Sequence, residues 1–391
     1  MVVTTVMPNI NIGTKVPDTL TKVQGVKTTT SESPVDLVAL FQDRYNQFLD
    51  TKHADKRFNQ FLARDEQRLK ITLRLLRDMQ EIDCCLWTPH SINRTFDQMA
   101  DSRYYDVCLN WFDEVFDREE RALMDNVHMM HDMIQLSIGF WDVSSLTDSQ
   151  IISIFADLLL VFVVDDYHEQ LTAFTIKVIR SNQYEQTDAN TVPERVTLKL
   201  LRELQRHSAK ETFEYSKSYF FEWLHMSEFE ESICRIPTNS ADVYYRGRTS
   251  WAGACTIYVT AFTTEQIKEW VDHNMRHPEF SDMVTHQGTF IGILNDVFSR
   301  KKEMHEAINM NAYRVVDNDE DVYNYLLSRV KHLARLCQSL DPASVQRFSD
   351  CLMGGIVWHT ICLRYSHLEV QGRGYWQTSL AREGIDYTLG G

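Results

Sequence analysis

The sequence predicts an all-α fold, and three observations carry that expectation. Glycine and proline are scarce, at 14 and 8 of 391 residues, which leaves few tight turns for a sandwich or barrel. From Pro34 onward, apolar residues recur at the spacing of an amphipathic helix. No stretch sustains the period-two alternation of a half-buried strand, and no internal repeat is present.

Composition narrows the function classes. Hydrophobic residues make up 43% and charged ones 24%, as in globular domains. With 40 Lys and Arg against 55 Asp and Glu, the formal net charge is −15. That balance argues against a nucleic-acid or membrane-surface binder, which relies on clustered cations. Eight cysteines show no CxxC or zinc spacing, so they read as reduced core residues of an intracellular, cytoplasmic protein.

Taken in order, residues 1–34 stand apart. They are rich in Thr, Val, Lys and Pro, lack Arg, and hold no apolar run long enough for a signal sequence. A flexible tail is expected, with a targeting peptide as the lesser alternative. Segments such as Leu69–Leu76 and Val322–Leu327 carry helical periodicity. The run Ile151–Val164 is the most apolar of the chain. It is too short for the roughly 20 residues of a membrane span, and apolar nearly all round, so a central buried helix is expected. It ends in Asp165-Asp166-Tyr167-His168-Glu169. Carboxylates at the end of so apolar a helix would suit a hard, oxygen-seeking cation such as Mg2+. A helix end emerging into solvent, or a salt-bridged acidic patch, would explain them as well. Asp165 and Glu169, at i and i+4, share one helix face.

A second polar row follows the apolar lead-in Phe290–Leu294. Asn295, Ser299 and Glu303 stand at i, i+4 and i+8, drifting only about 80° over about 12 Å of helix. An amide oxygen, a hydroxyl and a carboxylate in one row can chelate a single cation, with Lys302 placed to reach an anion bound to it. Asp317–Asp321 has the carboxylates of a calcium loop but Val322 at the position that requires glycine, so an acidic helix start is expected. His128 and His131 lack the matching Glu-x-x-His pair of a di-metal bundle.

Together these motifs resemble the class I terpene synthases of the microbial type. Asp165-Asp166-x-x-Glu169 resembles their aspartate-rich motif, in a less common form ending in Glu. Asn295-x-x-x-Ser299-x-x-x-Glu303, with Lys302, resembles their second metal motif. Tyr244–Ser250, which holds Arg246 49 positions before Asn295, resembles the diphosphate-sensing segment. Trp358 and the pair Arg364-Tyr365, preceded by Gly354-Gly355, resemble the C-terminal elements.

The resemblance implies a single domain over residues 35–391, roughly a dozen helices around a central active-site cavity. It implies three Mg2+ ions, with Asp165 as a bridging ligand and Asp166 and Glu169 as secondary or occasional ones. Asn295, Ser299 and Glu303 would hold a separate ion. Arg246 would sense the diphosphate, Arg248 being the alternative, with Thr249 and Ser250 as the effector segment. Lys302, Arg364 and Tyr365 would bind the diphosphate, and Phe162 and Trp358 would line the cavity and stabilise carbocations.

The implied activity is cyclisation of a linear prenyl diphosphate to a terpene hydrocarbon or alcohol. C20 is favoured and C15 next, from a likeness in length and texture to coral and other marine-invertebrate enzymes. A chain-elongating prenyl diphosphate synthase would carry a second aspartate-rich motif, and an inactive helical scaffold would show damaged ligands. Neither a nucleic-acid partner nor a membrane span is expected, and a homodimer is compatible with the sequence.

Overall fold

The computed structural model describes residues 35–50, 66–82, 86–124, 127–140, 142–184, 187–234, 244–245, 247–248, 278–303, 311–316 and 318–362. Among them lie fourteen α-helices, two 3-10 turns and no strand. The first seven helices are α1 (Leu37–Asp50), α2 (Glu66–Glu81), α3 (Pro89–Ala100), α4 (Ser102–Val115), α5 (Arg118–Met124), α6 (Val127–Gly139) and α7 (Asp148–Asp166). The remaining seven are α8 (His168–Ser181), α9 (Val192–His207), α10 (Lys210–Cys234), α11 (Pro278–Glu303), α12 (Ala312–Val315), α13 (Asp319–Leu336) and α14 (Pro342–Ile361). All belong to one compact unit, Asp36–Gly391.

Local chemistry sets where the key helices start. Thr147 and Gln150 form a capping box at α7, and Thr191 and Glu194 form another at α9. Each box satisfies two backbone N–H groups that a helix start would otherwise leave open. Asp341 caps α14, with Pro342 in its first turn, where the missing N–H of proline costs nothing. The acidic run near Asp317 is a helix start, as expected: Asn318 caps α13, and Asp319, Glu320 and Asp321 fill its first turn.

Helix α7 is the buried centre foreseen from its composition. Twelve of its 19 residues are buried, on every side of the helix, and it packs against α4, α6 and α9. Leu158, Leu159 and Leu160 are each fully buried, a burial that stabilises by about 1.5–3 kcal/mol per side chain. Its one interior carboxylate, Asp157, accepts a hydrogen bond from Ser216 of α10 at 3.0 Å.

Helix α14 is the second central element, packed against α2, α3, α6 and α11. Its close approach to α6 depends on Gly354. A Cβ there would lie 2.2 Å from the carbonyl oxygen of Gly139. The α3 interface is polar but paired: Arg94 meets Asp350 at 3.1 Å, and Ser91 donates to the same carboxylate at 2.8 Å. At the far end of α14, the Arg68 guanidinium donates to the carbonyls of Cys362 (2.6 Å) and His359 (3.2 Å), a cation on the negative end of the helix dipole.

Candidate metal centre

The first acidic group does not lie on one continuous helix. Helix α7 closes at Asp166, Tyr167 departs from helical geometry at φ −115° and ψ 32°, and α8 begins at His168. Asp165 and Glu169 therefore sit on different helices, and the shared face expected from i, i+4 spacing does not form. Asp165 and Glu169 are exposed and Asp166 is half-buried. Electrostatics separates the three. Glu169 lies in the first turn of α8, where the dipole favours a carboxylate. Asp165 and Asp166 occupy the last turn of α7, which has no basic residue. There the dipole is negative, so a cation would relieve the repulsion.

The second group converges as its spacing predicts. Asn295 is half-buried, while Ser299 and Glu303 are buried in the last two turns of α11. The Ser299 hydroxyl donates to Asn295 Oδ1 at 3.4 Å. The amide of Asn311 reaches Glu303 Oε2 at 2.8 Å and Ser299 Oγ at 3.5 Å. Three oxygen donors are thus gathered along one flank of α11, a set that suits a hard cation. Among the described residues, no three His, Cys, Asp or Glu side chains converge on a point; the row on α11 instead combines an amide oxygen, a hydroxyl and one carboxylate.

Beside this row lies a buried network that the sequence reading did not include. Arg248 donates to Asp296 Oδ1 at 2.6 Å, to Asn295 Oδ1 at 3.4 Å and to the carbonyl of Gly292 at 3.3 Å. Asp296 also accepts from the Tyr244 hydroxyl and from the backbone N–H of Ala312 at 3.3 Å. Burial pushes the Asp296 carboxyl up to about 7, with Arg248 pulling against that shift and Glu303 adding to it. Tyr245 stacks on Tyr325 of α13 with ring centroids 3.6 Å apart. Tyr245 and Arg248 thereby tie their segment to both α13 and α11. Asp296 had one signal in the sequence, a carboxylate two positions after an apolar helical lead-in. Asn311 had none.

Residues 158–338 match the family model of terpene synthase family 2, C-terminal metal binding. The matched segment contains Asp165, Arg248 and the whole Asn295–Glu303 row. Over that segment the chain is similar to the metal-binding region of terpene synthases. Two solved structures share its fold. A single-residue variant of cucumene synthase aligns with TM-score 0.51 and 16% identity, covering 68% of this chain and 96% of the other. Linalool/nerolidol synthase from Streptomyces clavuligerus, in complex with 2-fluorogeranyl diphosphate, aligns with TM-score 0.50 and 10% identity over 66% of this chain and 94% of its own. No curated protein matches the sequence.

The two aromatic side chains assigned to the cavity meet. Phe162, half-buried one turn before Asp165, lies edge-on to Trp358 with centroids 6.4 Å apart. The Trp358 indole N–H donates to the carbonyl of Asp132 at 2.7 Å, which fixes its ring. Next to it, His359 is held neutral, its pKa pushed down to about 4 by burial, and its ring lies 6.1 Å from that of Phe298, the neighbour of Ser299. Arg246, Thr249, Ser250, Arg364 and Tyr365 lie outside the described residues, as does the side chain of Lys302. The four described cysteines with placed side chains, Cys108, Cys337, Cys351 and Cys362, are buried thiols. No described helix is long and apolar enough to cross a membrane.

Proposed function

We propose that residues 35–391 form a Mg2+-dependent cyclase that ionises a linear prenyl diphosphate and closes the resulting carbocation into a terpene hydrocarbon or alcohol. The observation that carries this reading is the oxygen row of Asn295, Ser299 and Glu303 with the Arg248 guanidinium beside it. The row would hold one Mg2+, and Asp165, aided by Asp166 and Glu169, would hold the others of a set of three. When bound, the ions supply Lewis-acid neutralisation of the diphosphate charge.

The chain's own residues do the rest. Arg246 is assigned as the diphosphate sensor, with Arg248, beside Asn295, as the alternative. Lys302, Arg364 and Tyr365 are assigned to the diphosphate with it, and Thr249 and Ser250 to the effector segment. The C–O bond breaks with both electrons leaving on the diphosphate, and the allylic cation stays behind. Phe162 and Trp358 present ring faces and edges to that cation, and a cation over a desolvated aromatic face gains ~2 kcal/mol or more. Loss of a proton to a base, or addition of water, ends the reaction.

A C20 substrate is favoured and C15 comes next, on the likeness to marine-invertebrate enzymes. The prenyl diphosphate class itself gains support from the fluorinated geranyl diphosphate held by the Streptomyces clavuligerus neighbour. Asn295→Ala tests the metal assignment. Turnover should fall at least a hundredfold at saturating Mg2+ with the fold intact by circular dichroism. Undiminished turnover would remove the row from the site.

A further inference from the structure

Of the residues around the oxygen row, Asn311 is the one whose bonds reach the most of it. It follows Glu303 by eight positions and is fully buried. Its amide nitrogen has two protons. The two short bonds go to Glu303 Oε2 (2.8 Å) and the backbone carbonyl of Asp296 (3.0 Å), and Ser299 Oγ lies at 3.5 Å. Its amide oxygen is also engaged, accepting from the N–H of Tyr313 at 3.0 Å as the N-cap of α12. One side chain thus uses every polar atom it has, tying the start of α12 to three residues of α11.

We propose that Asn311 is a positioning residue for the cation held by Asn295, Ser299 and Glu303. This inference rests on the metal reading above. The bond from Asn311 engages Oε2 of Glu303 and sets the rotation of the carboxylate. A carboxylate held this way would present its other oxygen, Oε1, toward the cation. The same amide keeps Glu303 from swinging away from Ser299. Without that bond the carboxylate would be freer to rotate, which would weaken the site. Partners that orient metal ligands in this way commonly carry 10–100-fold in metal affinity.

Two substitutions separate the clamp from the cap. Asn311→Ser keeps an oxygen able to cap α12 but is too short to reach Glu303 and the Asp296 carbonyl. Asn311→Ala loses both functions. MgCl2 titrated calorimetrically into the full-length protein with inorganic diphosphate gives the metal midpoint without turnover. Both variants should need roughly 10–100-fold more Mg2+ for half-saturation, while metal-free melting temperature drops further for Asn311→Ala, which also loses the cap. Should Asn311→Ala fail to fold, Asn311→Ser alone decides. A folded Asn311→Ser with the wild-type midpoint overturns the positioning role. A wild-type protein that binds no Mg2+ with diphosphate overturns the metal reading beneath it.

Discussion

Arg248 and Asp296 are buried together, so neither can be removed without stranding the other. Leaving one charge of a buried pair uncompensated costs about 3–5 kcal/mol, and urea unfolding of Arg248→Ala should show a loss of that order. Asp296→Asn keeps the shape but only one of the two acceptor oxygens, so it should lose less than Asp296→Ala. A second residue, His359, predicts a pH dependence. A histidine in the unfolded chain titrates at 6.5, whereas burial, with Arg68 adding to it and the Gly355 carbonyl opposing, holds the folded one down to about 4. Between those values the unfolded chain binds a proton that the folded one refuses. Stability therefore falls as pH drops from 6.5 to 4, by up to about 3 kcal/mol from this group. Melting curves across that window should flatten in His359→Gln relative to wild type. At this scale the sequence disclosed what is local. Asn295, Ser299 and Glu303 need only one helix to align. The partnerships of Arg248 with Asp296 and of Asn311 with Glu303 join separate segments, and no periodicity encodes them.

Among elements, α7 and α14 decide where the chemistry can sit. The burial of α7 was readable from Ile151–Val164, and its true start three residues earlier follows from the Thr147–Gln150 capping box. Its end was not readable. No glycine or proline marks Tyr167, where the break parts Asp165 from Glu169, and α8 beyond it packs against α9 and α10. Helix α14 carries Trp358 toward Phe162, and it does so against α6 with no space for a side chain at residue 354. Gly354→Ala would press a methyl group into the backbone of Gly139, and overpacking of this kind costs about 1–3 kcal/mol. The midpoint of thermal unfolding should fall accordingly, and turnover should fall with it because Trp358 moves. Gly355→Ala meets only the end of the Ile291 side chain, which can turn aside, so its loss should be the smaller.

The whole molecule is acidic, with a formal net charge of −15, yet its proposed substrate is an anion. Only a few cations, the metals and residues such as Arg248, can overcome that repulsion, so turnover should depend on divalent metal absolutely. Fold class was readable from composition and periodicity because an all-α chain needs little else to announce itself. The contour of the cavity was not, since it depends on how Phe162, Trp358 and their neighbours from separate helices meet. Product and chain length follow that contour. The decisive measurement is a parallel incubation with C10, C15 and C20 prenyl diphosphates, with and without Mg2+, read by gas chromatography–mass spectrometry. A cyclic terpene from one of them, formed only with metal and lost in Asn295→Ala, is the expected result. Longer linear diphosphates on adding the C5 donor, or no product from any substrate with folded protein, would contradict it.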